Sequence, residues 1–306
     1  MEKLELFNQI TPLYKLNYKM GNTNIWIKRD DLIEFAFGGN KVRLMEYIAG
    51  MIVAHKVDRV VTYGSSYSNY IRVVAAVCAK IKVECDLILI EENHKKSVYG
   101  NSVLIDYYSN HILHCKEADA HSFIDEYQQR LRDDNINYLW IPGGGHTPEA
   151  AFGYVDAARE IKGQMNDVQI FFDNIFLPCG TGTTEAGLAW GFADADIAIT
   201  GVSVARSVER CKREIANLLH HMEEICENNV LREFHYDVIE GQTKYGECDL
   251  EMKQIISELA VKDGIFLDPI YNAKAFLAMK KYVEKRNDLK DVLYVNTGGT
   301  PNIFTV

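Results

Sequence analysis

From about residue 58 onward the chain alternates short β-branched or aromatic runs with longer stretches of helical pattern, and nothing else in the sequence restricts its fold as much. Strands separated by helix-length segments pair in parallel, because a tight hairpin can return only an antiparallel strand. The pattern predicts strands at Arg59 to Tyr63, Cys85 to Ile90, His111 to Cys115, Tyr138 to Ile141, Ile170 to Leu177, Ile197 to Val204 and Val292 to Asn296. It predicts helices near Asn69 to Ile81, Ser122 to Arg132, Pro148 to Lys162, Thr184 to Trp190, Ser207 to Glu227 and Asn272 to Lys285. The fold class is therefore α/β, with mostly parallel sheets. At 306 residues the chain exceeds an ordinary domain of ~100–200 residues, so two lobes with a ligand cleft between them are expected. No repeat, low-complexity stretch or Pro/Gly/Ser linker separates them, so the crossings should be short.

Glycine clusters at predicted strand ends locate the chemistry, since backbone without Cβ can approach a ligand closely. They are Gly38-Gly39-Asn40-Lys41, Gly64 to Tyr70, Gly143 to Pro148, Cys179-Gly180-Thr181-Gly182-Thr183-Thr184 and Thr297-Gly298-Gly299-Thr300. A strand, a small-residue loop and a helix N-terminus converge N–H donors on an anion, and Gly180 to Thr184 fits a phosphate. The loop lacks the lysine of a nucleotide P-loop, and Glu185 interrupts a dinucleotide glycine spacing. Taken alone, it reads equally well as a structural turn. Lys41 opens a helix, where the dipole opposes its charge and favours a neutral, nucleophilic amine. Alone it also reads as one more solvent-facing lysine. A candidate Schiff-base lysine and a phosphate loop in one α/β chain together point to pyridoxal 5′-phosphate (PLP), which carries an aldehyde and a phosphate.

The segments Thr11-Pro12-Leu13, Ile25 to Leu32 and Gly38 to Arg43 resemble the N-terminus of the 1-aminocyclopropane-1-carboxylate (ACC) deaminase/D-cysteine desulfhydrase family of fold-type II PLP enzymes. The resemblance continues in order through Ser68-Asn69, Ile141 to Gly144, Gly153-Tyr154, Gly180 to Thr184, Asp268 to Tyr271 and Thr297 to Gly299. It implies a two-lobed enzyme. Residues 1–48 and 162–306 would form a large cofactor lobe and 49–161 a small substrate-side lobe, each an open twisted sheet flanked by helices.

Carried over position by position, the resemblance makes Lys41 the cofactor-linked lysine and Asn40 a partner of the cofactor's 3-hydroxyl. Gly180, Thr181, Gly182, Thr183 and Thr184 become the phosphate cup, and Thr297 the neutral partner of the pyridine nitrogen. Ser68, Asn69 and Gly144 fall on the substrate side, with Ser68 also a catalytic candidate, and Tyr271 is the active-site tyrosine. Ser68 also reads as a helix N-cap, Tyr271 as a packed aromatic and Thr297 as a turn residue.

Two departures bear on the substrate. ACC deaminases of the family carry an acid directly after the tyrosine, where it can pair with the ring nitrogen; here that position is Asn272. Desulfhydrase-like members carry His or Gln after Ser-Asn; here it is Tyr70, expected to face the substrate and to orient or protonate the leaving group. The expected activity is α,β-elimination from a small β-substituted amino acid, D-cysteine desulfhydrase-like. ACC deamination, cysteine-synthase-like β-replacement and a non-catalytic PLP or amino-acid binder stand as alternatives.

Lys and Arg number 33 against 43 Asp and Glu, a net charge of −10, which argues against nucleic-acid or anionic-membrane partners. No apolar run approaches the ~18–20 residues of a membrane helix, and the first residues are too acidic for a signal peptide. The seven scattered cysteines lack a C-x-x-C pair and read as reduced thiols, and no His/Cys cluster suggests a metal. A cytoplasmic location is expected on these grounds; a homodimer is implied by the resemblance alone.

Overall fold

The computed structural model describes residues 1–91, 99–109, 111–227, 232–241 and 247–305. Strands among them are Leu13–Met20 (β1), Thr23–Arg29 (β2), Arg59–Gly64 (β3), Glu84–Ile90 (β4), His111–Cys115 (β5), Tyr138–Ile141 (β6), Asn174–Cys179 (β7), Ala198–Ser203 (β8), Tyr236–Glu240 (β9) and Asp291–Asn296 (β10). The α-helices are Asn40–Ala54 (α1), Asn69–Ile81 (α2), Asn101–Tyr108 (α3), Ala120–Asp133 (α4), Pro148–Val168 (α5), Thr183–Gly191 (α6), Val208–Cys226 (α7), Leu250–Asp263 (α8) and Asn272–Val283 (α9).

One sheet has the order β1-β2-β10-β7-β8-β9 and is parallel except for the β1–β2 hairpin. The other, β5-β4-β3-β6, is parallel throughout. Every residue of β7 is buried, as a central strand covered on both faces requires. The strand begins at Asn174 rather than Ile170, while β1, β2, β9, α3 and α8 lie outside the sequence reading. β1 alternates in plain view, with Leu16, Tyr18 and Met20 buried and Lys15, Asn17 and Lys19 exposed. The hairpin turns at Gly21, whose φ of +58° suits glycine.

The crossings between sheets are helical rather than short loops. Both expected lobe limits, after residues 48 and 161, fall inside continuous helices, α1 and α5. These two pack on each other, α1 also on α2 and α5 on α6, so they form the seam. The seam is tight: a Cβ on Gly153 of α5 would stand 2.2 Å from the Arg43 carbonyl of α1. One apolar core runs through it, joining Ile48 and Ile71 to Ile161 and Ile175. A second core, with Phe176 and Phe276, covers the other face of the large sheet.

A buried ionic knot fixes the start of α1. Asp30 accepts from Arg43 at 2.9 and 3.0 Å, from Thr11 Oγ1 at 2.8 Å and from the Tyr154 hydroxyl at 2.6 Å. These donors hold its carboxyl below the usual range despite burial. Its backbone carbonyl accepts from Gly39 N at 2.9 Å, which places Asn40 and Lys41.

Candidate active site

The loops that follow β3, β6, β7, β8 and β10 meet around one cavity of about 230 Å³. These are the carboxyl ends of parallel strands from both sheets, where α/β folds place ligands. Of the residues proposed from sequence, Asn40, Lys41, Ser68, Asn69, Tyr70, Gly144, Gly180, Thr181, Gly182, Thr184, Tyr271 and Thr297 line it; Thr183 does not.

Lys41 reaches the cavity because two backbones touch. A Cβ on Gly298 would lie 2.5 Å from Gly39 Cα, and both glycines have positive φ, +88° and +97°. Asn40 N donates to the Thr297 carbonyl at 3.0 Å, and Lys41 Nζ to the Gly144 carbonyl at 2.8 Å. Burial, with the Arg206 charge second, lowers the amine to about 8. Desolvation is therefore the main cause, not the helix dipole expected from sequence. The Asn40 amide donates to Thr184 Oγ1 at 2.9 Å.

The cup is the N-terminus of α6. Gly182 caps it at φ +89° with no side chain on the first-turn amides, so those donors remain available to an anion. Thr181 and Thr184 face the cavity. The Thr183 side chain is outside the cavity lining, its hydroxyl 3.1 Å from Thr181 Oγ1 and 3.2 Å from His146 Nδ1, so its expected part in the cup falls to its backbone amide.

Ser68 both lines the cavity and caps α2, accepting from Tyr70 N and Ile71 N at 3.2 and 3.3 Å. The Asn69 carbonyl oxygen accepts from Arg72 at 3.1 Å and from Asn101 at 2.8 Å, which turns its amide donors away from those partners. Arg72 is fully buried and donates only to carbonyl oxygens, those of Asn69, Asn101 and Gly38. Burial lowers its guanidinium to about 10, and its charge reinforces the positive end of α2.

Two expectations about specificity are corrected. The Tyr70 ring lines the cavity, but its hydroxyl lies 2.9 Å from Thr62 Oγ1, inside the small lobe, and burial pushes it well above the usual phenol range. It is not placed to protonate a leaving group. Asn272 is fully buried behind Thr297 and outside the cavity lining. Its amide donates to Asp268 Oδ1 and to the Gly298 carbonyl, at 2.7 and 2.6 Å, and its oxygen accepts from Thr297 N at 3.0 Å. Thr297 lines the cavity from this corner, its hydroxyl also donating to Asn272 Oδ1 at 3.3 Å, and Tyr271 enters from the N-terminus of α9.

Sequence reasoning passed over Cys179, Glu185 and Arg206, which also line the cavity. Glu185 is completely buried, and burial raises its carboxyl to about 8. Cys179 ends β7 and Arg206 follows β8, so strand-end position was the signal that would have found Arg206, whereas Glu185 lies in the first turn of α6.

These residues fit PLP: uncapped amides and hydroxyls for a phosphate, a buried amine of lowered basicity for an aldehyde, a hydroxyl for a ring nitrogen. The fold and site together define a PLP-dependent α/β enzyme, and the family model described as "Pyridoxal-phosphate dependent enzyme" matches residues 4–298. The chain belongs to that family and, within it, to the lyases of the ACC deaminase/D-cysteine desulfhydrase group, with PLP as cofactor. It is 30% identical to a putative 1-aminocyclopropane-1-carboxylate deaminase of Pyrococcus horikoshii, over 99% of this chain and 93% of that one. It is 30% identical to a D-cysteine desulfhydrase of Serratia proteamaculans, over 99% and 95%. A crystal structure of an ACC deaminase homologue superposes with a TM-score of 0.91 at 29% identity, over 99% of this chain and 94% of the other. Among the described residues no helix is long and apolar enough to cross a membrane.

Proposed function

We propose that the enzyme catalyses α,β-elimination from a small β-substituted amino acid, in the manner of a D-cysteine desulfhydrase, to a 2-oxo acid and ammonia. The observation that carries this reading is Thr297, a neutral hydroxyl at the cavity corner where a carboxylate would keep a ring nitrogen protonated. Glu185 is the one acid among the described lining residues, and it lies at the foot of the cup with its carboxyl raised by burial. Bound PLP supplies an aldehyde that captures amines and an electron sink at Cα.

The protein's own groups do the rest. The α2 N-terminus, with Ser68 and the Asn69 amide, holds the substrate carboxylate, backed by the Arg72 charge. Lys41, its basicity lowered to about 8, takes the Cα proton near neutral pH. Tyr271 orients the β-substituent, which departs with its bonding electrons, and hydrolysis then releases the 2-oxo acid and ammonia. Gly144 presents its carbonyl to Lys41 and holds the amine at the cavity wall.

The reading includes a substrate side built on residues 49–161 and a cofactor side on 1–48 and 162–306. It also includes a cytoplasmic homodimer, supported by the acidic charge, the free thiols and the family resemblance; sedimentation checks the dimer. The test of function is a screen of both enantiomers of cysteine and serine, with β-chloroalanine and ACC, read by 2-oxo acid and ammonia release. Turnover of at least one β-substituted amino acid, with ACC poor or inert, is expected. ACC as the best substrate overturns the reading; a thioether product on adding thiol turns it into β-replacement.

A further inference from the structure

The cup is made of amides and hydroxyls, yet a phosphate carries two negative charges into a partly enclosed site. Lys41 and Arg206 are the only cations among the described residues lining the cavity, and Lys41 is committed to the cofactor's aldehyde. Arg206 follows β8, and its own carbonyl accepts from the Ser203 hydroxyl, which fixes the loop. Its Nη1 is buried and makes no hydrogen bond. The same nitrogen makes a long ion pair with Glu214 Oε1, at 4.0 Å. Glu214 is itself held by the His146 ring at 3.1 Å and by the Arg210 guanidinium at 3.6 Å, so a second cation shares its charge. His146 in turn contacts Thr183 at the first turn of α6, which sets this cluster at the phosphate end of the cavity rather than at Ser68.

We infer that Arg206 is the ionic clamp on the phosphate of bound PLP, its guanidinium nitrogen, free of hydrogen bonds and paired with Glu214 only at 4.0 Å, supplying the charge that the neutral cup lacks. The inference rests on the PLP reading of the cavity and adds one residue to it. A guanidinium matches phosphate oxygens with paired donors, and its charge survives when the lysine amine is consumed.

The experiment titrates apoenzyme with PLP and, separately, with pyridoxal, which has the aldehyde but no phosphate, following visible absorbance. Arg206→Gln should weaken PLP by about tenfold or more while changing pyridoxal by less than about twofold, since only the charged contact is removed. Equal weakening of both, or of neither, overturns the inference. So does unchanged PLP affinity with a raised KM for an anionic amino acid, which would assign the guanidinium to substrate. If Arg206→Gln binds neither probe, Arg206→Lys decides: retained pyridoxal with PLP within about threefold supports the clamp, and parallel loss of both overturns it. Failure of the PLP reading itself shows separately, as wild-type protein that binds PLP no better than pyridoxal.

Discussion

The Tyr70 hydroxyl and Thr62 Oγ1 lie 2.9 Å apart, and Thr62 donates onward to the Ile141 carbonyl at 2.7 Å. Thr62 therefore receives the phenol proton, and the chain of bonds ties α2 to β3 and β6 rather than to a substrate. Tyr70→Phe should leave kcat and its pH profile within about twofold and cost about 1 kcal/mol of stability, the worth of one buried hydrogen bond. Steady-state kinetics with thermal melting checks this. Loss of an order of magnitude in kcat would return the hydroxyl to the chemistry.

Lys41 must be neutral to attack an aldehyde, and its amine titrates at about 8 instead of the ordinary 10.5. The rate of PLP capture by apoenzyme should therefore climb about tenfold per pH unit below 8 and level off above it. Stopped-flow absorbance measures it. The same shift fixes the linkage sign: the folded state holds fewer protons than the unfolded one between about 8 and 10.5, so this group's penalty is full below 8 and fades above. Borohydride should fix the cofactor on Lys41, and Lys41→Ala should abolish turnover.

Thr181 tests the cup directly, because its side chain lines the cavity. Removing its hydroxyl should weaken PLP by about 1–3 kcal/mol, whereas Thr181→Asp sets a carboxylate against the phosphate and should weaken it far more. Equal PLP dissociation constants for the two variants would reduce the loop to a structural turn.

Glu185 gives a stability signature. Its carboxyl titrates at about 8 when folded and near 4.5 when unfolded, so the folded state binds the extra proton between those values. Stability should fall as pH rises through that window, by up to about 1.4 kcal/mol per unit. Glu185→Gln keeps the acceptor for Gly201 N, at 3.1 Å in the wild type, and removes the titration. Its unfolding free energy should decline less steeply than the wild type's between about pH 5 and 8, the difference being the Glu185 contribution. Parallel curves would mean that the carboxyl ionises freely.

The parallel strands, and the meeting of Lys41, the loop after β7 and Ser68 at strand ends around one cavity, were legible because each is announced locally: β-branched runs, glycine pairs before a helix, a hydroxyl residue at a cap. The β1–β2 hairpin was equally legible in the alternation from Leu16 to Met20 but lies before the βαβ pattern that organised the reading. Arg206 carries only its place after a strand end, and His146 and Glu214 carry no local signal of a shared site. They meet only when α5, α6 and α7 pack, and that juxtaposition is long-range. Asn272 follows a cavity residue, Tyr271, yet a helix turns each successive side chain by about 100°, which moved it out of the lining, while Tyr70 after Asn69 keeps its ring in the cavity wall and turns only its hydroxyl away.

Asn272 now makes a different prediction from the one its place in sequence suggested. Its amide donates to the Asp268 carboxylate and its oxygen receives Thr297 N and the Tyr294 hydroxyl, so both ends are in use. Asp268 is fully buried, and desolvation already raises its carboxyl, even with the amides of Ile270, Tyr271 and Asn272 donating to it. Asn272→Asp would place a second carboxylate 2.7 Å from the first, where the amide donor now sits, and against the Gly298 carbonyl. A buried like-charged pair of this kind should cost about 3 kcal/mol or more, or force a shared proton, and it would loosen the Gly298–Gly39 contact behind Lys41. The variant should therefore melt several degrees lower and bind PLP more weakly, with no gain of ACC turnover. Melting with and without PLP, beside ACC and D-cysteine assays, decides the matter: a variant as stable as wild type that gains ACC deamination would restore Asn272 as the specificity determinant.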